Sequence, residues 1–230
     1  MTLQPKQTDI PKQHITKQSI LKETEDRLTR VDTELNEGFE VIHRYDKTVT
    51  IFGSARFVEG DKYYDLARQA GQMISGAGYT VSTGGAGGIM EAGNRGAYEA
   101  GGDSLGFNIK LPHEQVLNPY TTDHLSFHYF FTRKVILAYG AKAYVFFPGG
   151  YGTLDELFEV MTLIQTQKAP QAPMILVGSE FWNGLDKFIK EQMLDQAKTI
   201  SEGDEQLYTI TDDLDEMIRL IDASALNGAR

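Results

Sequence analysis

The chain contains no cysteine. Disulfides, thiolate metal sites and a cysteine nucleophile are therefore excluded, and a reducing compartment is compatible with the composition. No apolar run is long enough to cross a bilayer. Residues 1–20 are polar and carry lysines, without the apolar stretch of a signal peptide, so a soluble, cytoplasmic protein is expected. Positive charge is also scarce: 22 Lys and Arg against 32 Asp and Glu leave a formal net charge of −10. Such a chain lacks the diffuse positive field that non-specific nucleic-acid binding uses. A small anionic ligand is still allowed, because backbone N–H groups and a few local cations bind one despite the overall charge. Two nucleotide signatures are missing as well. No Gly-x-Gly-x-x-Gly follows the first predicted strand, which disfavours NAD or FAD in the standard mode. No Gly-x-x-x-x-Gly-Lys-Ser/Thr occurs, which disfavours a phosphate-loop NTPase. His124 and His128 are four apart, but they fall in or near a predicted strand with no convincing third ligand, so no metal is expected.

What the chain does have is glycine, 23 residues of it, much of it in two clusters. Its length suits one large domain. Residues 1–19, polar and interrupted by Pro5 and Pro11, read as a disordered tail. Residues 20–230 read as a single nucleotide-binding α/β domain with an N-terminal helix. That helix, residues 20–45, carries a stripe of Leu21, Leu28, Val31, Leu35 and Ile42 for packing on the domain or on a partner subunit. Strands are then predicted at 48–52, 79–83, 104–108, 125–129, 143–147, 174–177 and 207–210. Helices are predicted at 63–75, 89–100, 133–139, 153–167, 181–197 and 212–221, and residues 112–123 form a loop. Alternation of apolar strands with helices predicts an α/β fold, a Rossmann-like doubly wound parallel sheet with helices on both faces. Ligands of such sheets bind beyond the carboxyl ends of the strands.

Both glycine clusters stand at that edge. Pro148-Gly149-Gly150-Tyr151-Gly152-Thr153-Leu154-Asp155-Glu156 follows a fully apolar strand. Its glycines allow close backbone approach to a ligand, and the helix start behind them offers free N–H groups and a positive dipole end. Thr153 and Glu156 also fit a capping box, which explains the last four residues but not three glycines behind a proline. Gly84-Gly85-Ala86-Gly87-Gly88-Ile89-Met90-Glu91 repeats the design after the second strand, so Gly85, Gly87 and Gly88 are candidate ligand contacts. Glu91 in the first helical turn either complements the dipole or meets the ligand. Arg133 and Lys134 follow the aromatic run 127–131 and fall in the first turn of a helix, the unfavourable end for cations unless an anion lies nearby. Gly53-Ser54-Ala55-Arg56 ends the first strand, and Ser54 is either a ligand donor or a turn residue.

The Pro-Gly-Gly-Tyr-Gly-Thr-Leu-Asp-Glu stretch with Arg133-Lys134 upstream resembles the signature of the LONELY GUY family. These are cytokinin riboside 5'-monophosphate phosphoribohydrolases often mislabelled as lysine decarboxylases. The resemblance runs from about residue 48 to 168. The N-terminal extension and the longer C-terminal part are similar to the longer bacterial branch. It implies hydrolysis of the N-glycosidic bond of an adenosine 5'-monophosphate, N6-modified or not, to free base and ribose 5-phosphate. It implies neither metal nor cofactor, and a homodimer or larger homo-oligomer. Carried over by position, Arg133 and Glu156 are the catalytic pair. Gly149, Gly150, Gly152 and Thr153 hold phosphate; beside this carry-over, Lys134 is a secondary candidate and Glu91 could bind ribose hydroxyls. The physics of the reaction agrees, since a fixed carboxylate stabilises an oxocarbenium-like sugar and can activate water. A related branch of the fold binds molybdenum cofactor or nucleotides without hydrolysis, and the same glycine turns would serve it. Lysine decarboxylation through pyridoxal phosphate and a purely structural oligomer are weaker alternatives.

Overall fold

The computed structural model describes residues 17–111 and 116–227. Most of the tail expected over residues 1–19, and the start of the loop expected over 112–123, lie outside the described residues. The elements run α1 (Lys17–Ile42), β1 (Thr48–Phe52), α2 (Lys62–Gly76), β2 (Thr80–Thr83), α3 (Ile89–Glu99), β3 (Ser104–Ile109), β4 (Asp123–Phe127) and α4 (Phe130–Tyr139). The second half holds β5 (Ala141–Phe146), α5 (Tyr151–Gln165), β6 (Met174–Val177), α6 (Ser179–Phe188), β7 (Tyr208–Thr211) and α7 (Leu214–Asn227). Beyond Phe188 the chain continues in wider π-helical turns over Ile189–Gln196.

All seven strands join one parallel sheet in the order β4-β3-β2-β1-β5-β6-β7. Because side chains alternate across a strand, each central strand feeds two cores. Val49 and Ile51 of β1, with Ala143 and Val145 of β5, pack under α2, α3 and α7. Phe52 and Phe146 stack on the opposite face, with ring centroids 4.9 Å apart, under α1, α4, α5 and α6. The fold is thus the doubly wound, Rossmann-like sheet that the alternation predicted.

Several boundaries differ from the sequence reading, β5, α6 and α7 among them, and three bear on the argument. The edge strand β4 starts at Asp123, two residues early, because its outer positions alternate with solvent and give a weak apolar signal. Helix α4 starts at Phe130 rather than Arg133, after the extended Tyr129. Helix α5 starts at Tyr151 rather than Thr153, after the extended Gly150. The α1 stripe is also divided: Leu21 and Leu28 are exposed, and the helix turns inward only from Val31 onward. Among the described residues no helix is long and apolar enough to cross a membrane.

Chain order reverses between β1 and β5, and the crevice beyond their carboxyl ends is where ligands of such sheets bind. Two loops meet there, joined by a hydrogen bond from Ser54 N–H to Pro148 O at 3.1 Å. The start of α3 is tied in by Ile89 N–H donating to Ser54 O at 3.0 Å.

Candidate functional site

At this crevice lies a cavity of about 330 Å³, walled by the β1 loop, the starts of α4 and α5, and Met90, Ile109 and Leu111. Helix α5 supplies its floor. The cap residue Gly150 gives no side-chain hydrogen bond, and the first intrahelical bond is Leu154 N–H to Gly150 O. The N–H groups of Tyr151, Gly152 and Thr153 therefore lack acceptors among the described residues, at the positive end of a helix dipole. Because Thr153 sits inside the first turn rather than at the cap, the capping box is not formed, and Glu156 is free of that duty. The Thr153 hydroxyl lies over Gly149, where a Cβ would come within 2.1 Å of it.

Arg133 and Glu156 meet at the cavity wall. Arg133 Nη1 lies 3.4 Å from Glu156 Oε1, and their side chains are 8% and 15% exposed. The guanidinium is aimed from two further sides. Its Nε donates to Phe107 O at 2.6 Å, and its Nη2 rests where a Cβ on Gly84 would stand, at 2.0 Å. Burial pushes the Glu156 carboxyl up to about 7, with the Arg133 charge offsetting only part of that cost. Burial likewise lowers Arg133, against the pull of Glu156. Both shifts mean that desolvation outweighs the attraction, as in an incompletely hydrogen-bonded buried pair. Lys134 beside them is different. Its burial is overcome by Glu159 at 2.8 Å and Asp155 at 3.0 Å, which hold its ammonium above the usual range.

The structure thus brings Ser54, Arg133, Lys134, Gly150, Gly152, Thr153 and Glu156 around one cavity. Gly149 faces an adjoining cleft of about 630 Å³, lined with aromatic residues including Phe57, Tyr63, Tyr151 and Phe181. Gly85, Gly87, Gly88 and Glu91 do not line the cavity. Gly85 has a positive φ of 68° and Gly88 one of 69°, and a Cβ on Gly88 would strike Ser54 O at 2.3 Å. These two shape the turn and its contact with the β1 loop. Gly87 is half-buried beside Glu91, and Glu91 accepts from the Tyr64 hydroxyl at 2.8 Å. The turn is held from behind by a buried network. Asn94 Oδ1 accepts from Thr83 Oγ1 at 2.6 Å and from Asn118 Nδ2 at 2.9 Å, and Asn118 also donates to Ala86 O at 3.1 Å.

Sequence reading passed over Arg56, Asp155 and Glu159. Arg56 is exposed on the rim of both cavities and has no carboxylate partner among the described residues. A cation in the turn after the first strand was its only signal. Asp155 and Glu159 were legible only as an i, i+4 pair on α5. Among the described residues no group of three or more His, Asp or Glu side chains is placed to hold a metal ion.

Comparison with known proteins follows this geometry. The family model described as "Possible lysine decarboxylase" matches residues 90–221, more than half of the chain. The chain is 29% identical over 150 residues to a cytokinin riboside 5'-monophosphate phosphoribohydrolase of Rhodococcoides fascians, covering 63% of this chain and 74% of that one. It is 32% identical over 119 residues to the protein of the same name from Mycobacterium tuberculosis, covering 51% and 63%. Among solved structures it is similar to the molybdenum cofactor carrier protein of Chlamydomonas reinhardtii, with a TM-score of 0.60 at 21% identity over 79% of this chain and 99% of that one. That last likeness is one of fold. With the family model spanning both Arg133 and the glycine turn before α5, and with relatives that carry the phosphoribohydrolase name, this chain belongs to the LONELY GUY family.

Proposed function

We propose that this protein hydrolyses the N-glycosidic bond of an adenosine 5'-monophosphate, with adenine or an N6-modified adenine as base, giving free base and ribose 5-phosphate. The observation that carries this reading is a buried carboxylate, Glu156, with its pKa near neutrality, one helical turn from N–H groups that lack acceptors among the described residues and suit a phosphate. The phosphate is placed at the start of α5, on the N–H groups of Tyr151, Gly152 and Thr153, with the Thr153 hydroxyl, Ser54 and the Arg56 cation around it. Glu156 then faces the ribose. As the C1'–nitrogen bond lengthens, its electron pair goes to the base and positive charge builds on the sugar, which a carboxylate stabilises. The same carboxylate accepts a proton from the water that attacks C1', and the departing base takes up a proton from solvent. Arg133 keeps Glu156 aimed and limits how far its pKa rises. Lys134, clamped between Asp155 and Glu159, fixes α4 against α5.

The description of the family model raises pyridoxal phosphate as a cofactor. Schiff-base chemistry needs an amine that can lose its proton, and Lys134 is the lysine that lines the cavity. It is held as an ammonium by two carboxylates, so the residues present do not fit that cofactor. Incubation of the purified protein with AMP and with N6-isopentenyl AMP, with free base read by chromatography, tests the proposal. Base is expected from at least one, and the ratio of rates names the preferred substrate. Tight nucleotide binding without base release refutes hydrolysis in favour of a carrier or sensor.

A further inference from the structure

The N-terminal helix precedes the stretch on which the family resemblance rests, yet it touches the site through α4. Three positions of α1, four residues apart, meet two positions of α4 and its cap residue Gly140 with the same spacing and direction. Glu34 meets Thr132, Gly38 meets Ile136 and Ile42 meets Gly140. The two glycines let the helices close: a Cβ on Gly38 would stand 2.5 Å from Ile136, and one on Gly140 2.5 Å from Ile42. At the head of this seam Glu34 is buried, 7% exposed. Its carboxylate accepts from His128 N–H at 2.6 Å, from Tyr129 N–H at 3.4 Å and from the Thr132 hydroxyl at 2.6 Å. The Thr132 proton has an alternative acceptor in Tyr129 O at 2.9 Å, but the carboxylate is the stronger one.

No side chain of α4 itself caps that helix. Glu34 therefore holds the entry to α4 from another helix, through the N–H groups of His128 and Tyr129 and the Thr132 hydroxyl. It anchors the two residues leading into α4 and places a negative charge at the positive end of its dipole. That charge matters because Arg133 and Lys134 stand in the first turns of α4, where the dipole disfavours cations. We infer that Glu34 is a positioning residue for Arg133, so that the N-terminal helix is a working part of the candidate active site. Thr132 is the neighbour through which the placement of α4 reaches the Arg133 guanidinium and, through it, Glu156. This inference rests on the hydrolytic reading for its kinetic consequence but not for its geometric one.

The test uses the full chain with Glu34→Ala and Glu34→Gln. Two quantities are read: AMP hydrolysis, and the Arg133 Nε–H signal in proton–nitrogen NMR, assigned by its loss in Arg133→Lys. In the parent that proton is bonded to Phe107 O and is expected to exchange slowly. For Glu34→Ala the expectation is a kcat lower by on the order of tenfold to a hundredfold, with KM changed less, since a misplacement of about 1 Å costs that much. The Arg133 signal is expected to exchange rapidly. Glu34→Gln keeps the volume and one acceptor oxygen, and is expected to recover most of both. Parental kcat and a parental Arg133 signal in Glu34→Ala overturn the inference. Should Glu34→Ala not fold, Thr132→Val gives the same two readouts, and no change in either overturns it. If the parent itself releases no base, hydrolysis is refuted and the Arg133 signal alone decides the positioning role: its loss in Glu34→Ala sustains it, and its persistence overturns it.

Discussion

Replacement of Glu156 by Gln separates burial from chemistry. The folded carboxyl sits near 7 against an ordinary value of 4.5, and its side chain is 15% exposed. At low pH both folded and unfolded chains hold the proton, and the group contributes nothing. As pH rises past the unfolded value, the unfolded chain ionises first, so the folded state loses relative stability until the folded group ionises in turn near 7. From pH 5 to pH 8 this amounts to about 2.5 kcal/mol of stability lost as pH rises, at roughly 1.36 kcal/mol per unit of pKa difference. Gln has the same shape and no titration. The difference in unfolding free energy between variant and parent is therefore expected to shift towards the variant by about 2.5 kcal/mol over that range. Urea unfolding at several pH values measures this, and the other carboxylates cancel in the difference. Curves for parent and variant that stay parallel within about 0.5 kcal/mol would refute the burial reasoning. The same variant is expected to bind AMP and release no base, whereas the parent's kcat/KM rises with pH until the Glu156 carboxylate is formed near 7.

Gly84→Ala places a methyl group against the Arg133 guanidinium and the Met90 sulfur. Both are ends of flexible side chains, so stability is expected to change little while kcat for AMP falls on the order of a hundredfold through the displaced Arg133. Thermal unfolding and base-release kinetics on one preparation test both halves. Arg56→Ala removes the exposed rim cation, and KM for AMP is expected to rise about tenfold with kcat less affected and with a weakened dependence on salt. Trp182, fully buried with its indole N–H on Val177 O at 3.1 Å, anchors α6 to β6. Trp182→Ala is expected to cost about 3–5 kcal/mol by urea unfolding followed by circular dichroism.

Much of the fold was legible because strand and helix periodicities are local. The run Ala143–Phe147 is apolar at every position, and only a strand covered on both faces explains that. Helix starts were less legible. Phe130 and Tyr151 begin helices because Tyr129 and Gly150 happen to be extended, a choice that propensity does not make for a tyrosine. The error had a consequence, since moving the start of α5 by two residues dissolves the apparent capping box and leaves Glu156 free. The two glycine turns looked alike on paper and came apart in space. The one before α5 opens onto the cavity. The one before α3 spends Gly85 and Gly88 on its own shape and on the β1 loop, and it serves the site mainly through Gly84, which makes room for Arg133.

The sequence by itself determined the class of fold, the order of its elements, the absence of thiol chemistry and the motif from Pro148 to Glu156, all of which are written in contiguous residues. Tertiary structure decided what crosses between elements. Glu156 has its pKa because packing between helices dries the wall around it, an effect that Arg133, 23 residues earlier, only partly offsets. Lys134 is an ammonium because two residues of another helix clamp it. Glu34 is buried because a glycine four residues on lets α1 close on α4. Each of these depends on distances between segments far apart in the chain, set by the common packing of helices on one sheet, and pairwise distance is the quantity a linear pattern does not carry.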